Sequence, residues 1–101
     1  MASYSLSDQA QEDLVDIFEE GVVSFGFLHA VRYHDRLEYT FELLASAPGM
    51  ARLRTEFGRP LRIHPVGSHI IVYANADDGS VHIVRVRHAR EDWASDPVSV
   101  D

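Results

Sequence analysis

Apolar positions along the chain follow two periods: a helical one from Ala10 to Leu44, then the period of two that belongs to strands from Leu61 to His88. Before the first of these, Tyr4 and Leu6 alternate with serines, which predicts a short strand. Ser7 or Asp8 is placed to cap a helix, because a short side-chain oxygen there accepts a bond from an unpaired backbone N–H. Ala10, Leu14, Ile17, Phe18 and Val22 form the inner stripe of that helix, with Glu12, Asp13, Asp16, Glu19 and Glu20 facing away. Gly26 interrupts the pattern, and Ala30, Tyr33, Leu37, Phe41 and Leu44 carry a second helix as far as Pro48-Gly49. The segment from Pro48 to Pro60 has no clean period and reads as an ordered loop bearing Arg52, Arg54 and Arg59.

A short strand is expected around Leu61 to His64, then a reversal over Pro65 to Ser68. From His69 onward two alternating runs flank Asp78-Gly79, a hairpin signal because such residues tolerate the positive φ of a tight turn. In the second run Val84 and Val86 share one parity with His82 and His88, while Val81, Ile83, Arg85 and Arg87 share the other. One face can thus be apolar while the other presents guanidinium groups. The order is β-α-α-β-β-β, an α+β domain with a helical hairpin packed on one face of a small, largely antiparallel sheet. The opposite face would carry part of the arginine set. Residues 1–93 form the single domain, and 94–101 are a short polar tail with little reason to be ordered.

Composition narrows the chemistry. The chain has 101 residues, enough for one self-sufficient core. Without cysteine it has no disulfide, thiolate nucleophile or thiolate metal site, and a reducing compartment is the simpler expectation. No apolar run approaches the ~20 residues of a spanning helix, and the first twenty are too polar and acidic for a signal peptide, so no membrane role and a cytoplasmic location are expected. The net charge is -7, divided unevenly: residues 1–50 contribute -7, residues 51–90 contribute +4 and residues 91–101 contribute -4. That balance argues against binding free nucleic acid. Every basic residue is arginine, whose planar fork grips carboxylate or phosphate with two bonds. Six histidines prompt a metal audit, but His29 and His34 are five apart, His64 and His69 flank a turn, and only His82 and His88 share a strand parity. No metal and no cofactor is expected.

In this order and spacing the residues resemble the ParE branch of the RelE/ParE superfamily of bacterial toxin-antitoxin modules, over about Tyr4 to Trp93. Leu6-Ser7 with Ala10 and Asp13-Leu14 resembles the family's opening, and Phe25-Gly26 stands where its helix hairpin has an aromatic-glycine pair. Ala45 with Pro48-Gly49-Met50 and Arg52 resembles the end of the second helix. Leu61-Arg62, Val66-Gly67-Ser68-His69 and Tyr73 resemble the central strands, and Arg85-Val86 with His88, Arg90 and Asp92 the last strand and exit. Departures are Arg87 where an apolar residue is common, Pro60 and Ala51 for glycines, and Ala74 where arginine is frequent. The resemblance implies a poison of DNA gyrase, held inactive in a hetero-oligomer with a ParD-like antitoxin whose C-terminal segment folds onto it.

Three readings follow. As a non-catalytic gyrase inhibitor, the chain would engage its target through Arg52, Arg54, Arg62, Arg85, His88 and Arg90. The antitoxin would grip Leu14, Phe18, Tyr33 and Leu37 on the helices, with Arg62 and Arg85 meeting its acids. The plainer role for Arg62 and Arg85 is an ion pair with Glu56, Glu91 or Asp92 that closes the sheet. As a RelE-like ribosome-dependent mRNA endoribonuclease, the chain would need His88 beside Arg62 and Arg85 for proton transfer and charge stabilisation. The third reading is a non-toxic binding module of the same fold.

Overall fold

A computed structural model describes residues 3–98. Its elements are β1 (Tyr4–Leu6), α1 (Asp8–Phe25), α2 (Phe27–Ser46), β2 (Arg62–Val66), β3 (His69–Asn75) and β4 (Val81–His88), in the predicted order. The sheet order is β1-β4-β3-β2, with β1 parallel to β4 and the remaining pairs antiparallel. The first two and last three residues of the expected domain and tail lie outside the described residues.

Ser7 is where strand becomes helix. Its Oγ accepts from the Ala10 N–H at 2.9 Å and donates to the Val84 carbonyl at 2.6 Å, while its own N–H donates to the Ile83 carbonyl at 2.9 Å. One residue therefore caps α1 and ties it to β4. A single glycine, Gly26 at φ +93°, separates the two helices. Near the hairpin a Cβ on Gly21 would stand 3.3 Å from that of Ala30, so the missing side chain allows the helices to close. Leu14, Leu37, Phe41 and Leu44 then pack on Val66, Ile71, Tyr73, Val81, Ile83 and Val86 of the sheet.

Three sequence expectations change here. First, β2 runs through Pro65 to Val66, and only Gly67-Ser68 turns; Pro65 is tolerated because β2 is an edge strand. Second, the pairing steps from Tyr73↔Ile83 to Val72↔Arg85, leaving Val84 as an extra residue, a β-bulge. The bulge inverts the alternation, so Val81, Ile83 and Val86 all meet the helices although their numbers differ in parity. Arg85 and Arg87 move to the opposite face, and His82 and His88 no longer share one. Third, that opposite face is not an open guanidinium surface. Leu61, Ile70, Val72 and Val84 form a second apolar cluster there, covered by Phe57, Trp93 and Val98.

The segment after Trp93, expected to lack order, is held by this cluster. Pro97 is buried, Arg87 donates to the carbonyls of Asp96 and Pro97 at 3.1 and 3.2 Å, and Arg85 donates to that of Val98 at 3.2 Å. Residues 94–98 thus act as a strap across the sheet.

Candidate functional site

A groove of about 360 Å³ runs between α1 and α2 and reaches the start of β3 and the end of β4. Leu14, Leu37 and Ala30 form its buried floor, and Phe18, Phe25, Tyr33 and His29 its walls. Phe18 is fixed edge-on to Phe27 at 6.0 Å and to His34 at 6.3 Å. Beside the groove, Val23, Phe25, Phe27 and Leu28 are all more than half exposed, a cluster of large apolar groups at the helix tip.

The other end of the groove is polar and is built from His69, His88 and Arg90. The Tyr33 hydroxyl lies 2.6 Å from His69 Nδ1 and 3.2 Å from the Val66 carbonyl, which staples α2 to the β2–β3 turn. Gly67, at φ +55°, lets the Tyr33 ring sit on that turn, since a Cβ there would come within 2.7 Å of the hydroxyl. The rings of His69 and His88 stand 5.2 Å apart, edge to face, and His88 Nδ1 accepts from the Arg90 N–H at 3.1 Å. Burial, and then the neighbouring His88, push the His69 pKa below its ordinary value.

The groove brings together Leu14, Phe18, Tyr33 and Leu37, the helical residues expected to meet an antitoxin, and adds His88 and Arg90 from the expected target-binding set. The remaining arginines are elsewhere. Arg62 donates to the Ala51 carbonyl at 2.5 Å and to Asn75 Oδ1 at 2.9 Å, so it holds the loop after α2 against the sheet. Nearby, the Tyr73 hydroxyl donates to the Pro48 carbonyl at 3.1 Å, and burial raises its pKa. Arg85 is buried and forms a forked pair with Asp13 at 2.8 and 2.9 Å, not with Glu56, Glu91 or Asp92. It is Arg87 that takes Glu91, at 2.8 Å, and Arg54 that takes Glu56, at 2.9 Å, with its guanidinium 5.0 Å from the Phe57 ring centre. Arg52 is exposed in the loop.

Of the trio that RNA cleavage would require, His88 and Arg85 line one surface pocket but Arg85 is paired with Asp13, and Arg62 sits at the other end of β3, so the three are not assembled. His64 is half-buried, and its pKa is lowered by that burial. Among the described residues no group of three or more His, Asp or Glu side chains is placed to hold a metal ion, and no helix is long and apolar enough to cross a membrane.

His69 escaped the sequence-based choice of site residues for a physical reason. Extending the Asn75↔Val81 pairing without a bulge would set His88 opposite Ser68, whereas the extra residue at Val84 brings it opposite His69. Composition carries no signal for that shift.

The family model for the ParE toxin of the type II toxin-antitoxin system parDE matches residues 4–93. Toxin ParE1 of Mycobacterium tuberculosis (strain ATCC 25618 / H37Rv) is 30% identical over 89 residues, covering 88% of this chain and 91% of its own. Toxin ParE1 of Caulobacter vibrioides (strain ATCC 19089 / CIP 103742 / CB 15) is 33% identical over 88 residues, covering 87% and 90%. In three dimensions the fold is similar to a chain of the chromosomal ParDE TA system from P. aeruginosa, with TM-score 0.73 and 18% identity over 89% of this chain and 98% of that one.

Proposed function

The chain belongs to the ParE toxin family of type II toxin-antitoxin systems, and from that premise we propose that it is a cytoplasmic, non-catalytic inhibitor of DNA gyrase, neutralised by a ParD-like antitoxin seated in the groove between its helices. The observation that carries the antitoxin half is the groove itself. It joins an apolar trough of Leu14, Phe18, Tyr33 and Leu37 to a polar end at which Arg90 stands beside His69 and His88. An amphipathic segment that orders on binding would bury its apolar side in the trough and direct acids to the polar end.

The gyrase half rests on family membership. It gains support from the commitment of Arg85 to Asp13 and from the place of Arg62 at the far end of β3 from His88, which leaves the endoribonuclease reading with neither of its two arginines free beside its histidine. With Arg85 and Arg62 committed inside the protein, the exposed arginines left of the expected target-binding set are Arg52 and Arg90, the latter beside His88.

The test is a supercoiling assay with purified gyrase. Inhibition at stoichiometric toxin, reversed by the antitoxin, is the expected result. Full supercoiling at a large excess of toxin, with mRNA cut at ribosome-occupied codons on induction, would move the assignment to the nuclease.

A further inference from the structure

The polar end of the groove differs from the trough in holding two histidine rings packed together, one of them hydrogen-bonded to Tyr33. We infer that the His69–His88–Arg90 end is a receptor for one carboxylate of the antitoxin segment, and that docking this carboxylate draws a proton from solvent onto His69. The inference rests on the groove reading above and adds the chemistry of the contact.

The charges around this end are accounted for group by group. From α1, Asp13 faces it but is held by Arg85, Glu20 lines the groove with no cationic partner among the described residues, and Glu12 and Asp16 line the adjoining pocket that His69 and His88 share. From the turn after β4, Glu91 is held by Arg87 and also accepts the His88 N–H at 3.0 Å. From α2 the Tyr33 hydroxyl touches His69, while His29 and His34 line the groove further along, His34 3.5 Å from Glu38, and from the β2–β3 turn comes the Ser68 hydroxyl, 3.4 Å from His69 Nδ1. Arg90 is exposed and has no acidic partner among the described residues. Arg90 is therefore at most balanced by Glu20, and Glu12 and Asp16 tilt the surroundings negative while the histidines are neutral. An incoming carboxylate adds an uncompensated negative charge in a half-buried place, and a titratable imidazole can supply the missing positive one.

Hydrogen bonding selects which imidazole. His88 Nδ1 already accepts the Arg90 N–H, so a proton there would break that bond. His69 has no such conflict. Neutral, its Nδ1 accepts the Tyr33 hydroxyl at 2.6 Å, which leaves Nε2–H as a donor. Protonated, Nδ1–H donates to the phenol oxygen instead, and the phenol turns its own proton to the Val66 carbonyl, 3.2 Å away. Tyr33 thus keeps the groove wall stapled in both states. In the free protein burial, and then His88, push His69 toward its neutral form, against Glu20, Glu91 and Asp13.

The sign of the linkage follows. A carboxylate raises a His69 pKa that is low in the free chain, so affinity is greatest at acid pH and falls as pH rises through the value in the complex. The experiment is isothermal calorimetry of the full chain with the antitoxin encoded beside it, at pH 6, 7 and 8, in two buffers of different ionisation enthalpy. The expected result is binding about tenfold weaker at pH 8 than at pH 6, with net uptake approaching about one proton. His69→Gln keeps a side-chain amide near Tyr33 but cannot charge, and should flatten the pH profile. Arg90→Gln should weaken binding about fivefold to tenfold at every pH while keeping the slope. If His69→Gln does not fold, the His69 imidazole titration followed by NMR in free and bound wild-type chain gives the same answer.

A flat wild-type profile, a His69→Gln slope equal to wild type, or a His69 titration that does not move on binding would overturn the inference. Phe18→Arg separates the two levels. If it abolishes binding while the pH profile of wild type is flat, the groove stands and the proton site falls; if it leaves binding intact, the groove reading falls and the inference with it.

Discussion

Asp13 shows how much one carboxylate can organise. Its two oxygens take the forked guanidinium of Arg85, and Oδ2 also accepts the Val86 N–H at 3.0 Å. β1 pairs with β4 only as far as Leu6↔Ile83, so beyond that point the β4 edge lacks a strand partner, and a side chain from α1 fills the role. Removing the carboxylate takes the acid from a buried guanidinium, which keeps its bond to the Val98 carbonyl, and leaves the Val86 N–H without its acceptor. Asp13→Ala should cost about 3–5 kcal/mol, and Asp13→Asn, which keeps an acceptor, visibly less, by urea denaturation; equal midpoints for the two variants would argue against the charge-assisted part. Glu91 makes a related contact at the surface. The hydrogen bond from Arg87 lowers its pKa, with burial opposing. Because the folded-state value is the depressed one, this contribution is present above the unfolded pKa and is lost as pH falls through the folded one. Glu91→Gln should therefore lower stability at neutral pH and flatten its loss below the ordinary glutamate range, as read from thermal midpoints across pH 3 to 7 at roughly one-unit steps.

Among the elements, the helices and the hairpin were legible because each obeys one period over many residues: Ala10 to Val22, Ala30 to Leu44, and the runs flanking Asp78-Gly79. What stayed hidden depends on a single residue. The bulge at Val84 is not marked by glycine or proline, yet it decides that Arg85 and Arg87 leave the helix side and that His88 meets His69. The groove was half legible for the same reason: its helical wall follows from periodicity, its histidine end from a register that no local pattern encodes. The β2–β3 turn joins the two halves, and its glycine is testable. Gly67→Ala meets both a left-handed φ of +55° and the Tyr33 ring, whereas Gly26→Ala meets only a positive φ, with nothing within 4 Å. Both should cost about 2–3 kcal/mol, the second through a backbone region (φ 93°, ψ 163°) that only glycine enters freely, but only the first should weaken antitoxin binding. Unchanged binding by the Gly67→Ala chain, measured where it is folded, would mean that Tyr33 is free to move away.

At the scale of the molecule, the chain is a sheet with two unlike cores. The helix side is deep and joins all the regular elements, while the other side is a thin apolar layer under the 53–61 segment and the 94–98 strap. The +4 stretch of the sequence does not become a basic face, because Arg54, Arg85 and Arg87 each meet an acid. Two of them also hold the strap by its carbonyls, in a contact that needs backbone and not side-chain identity, which is why the polar composition after Trp93 gave no hint of it. Ending the chain after Trp93 tests this arrangement as a whole. The helix-side core, the groove and Arg90 would be untouched, but the cluster of Leu61, Ile70, Val72 and Val84 would lose Val98, and two buried arginines would lose carbonyl acceptors. Loss of that apolar cover and of two or three charge-assisted bonds predicts a drop of about 2–4 kcal/mol in unfolding free energy. Antitoxin affinity, measured where the shortened chain is still folded, should stay within about twofold of the full chain, since the strap and the groove lie on opposite faces of the sheet. An unchanged urea midpoint would mean that the strap rests on the sheet without stabilising it, and a large loss of affinity at full folding would mean that the partner reaches round to the second face.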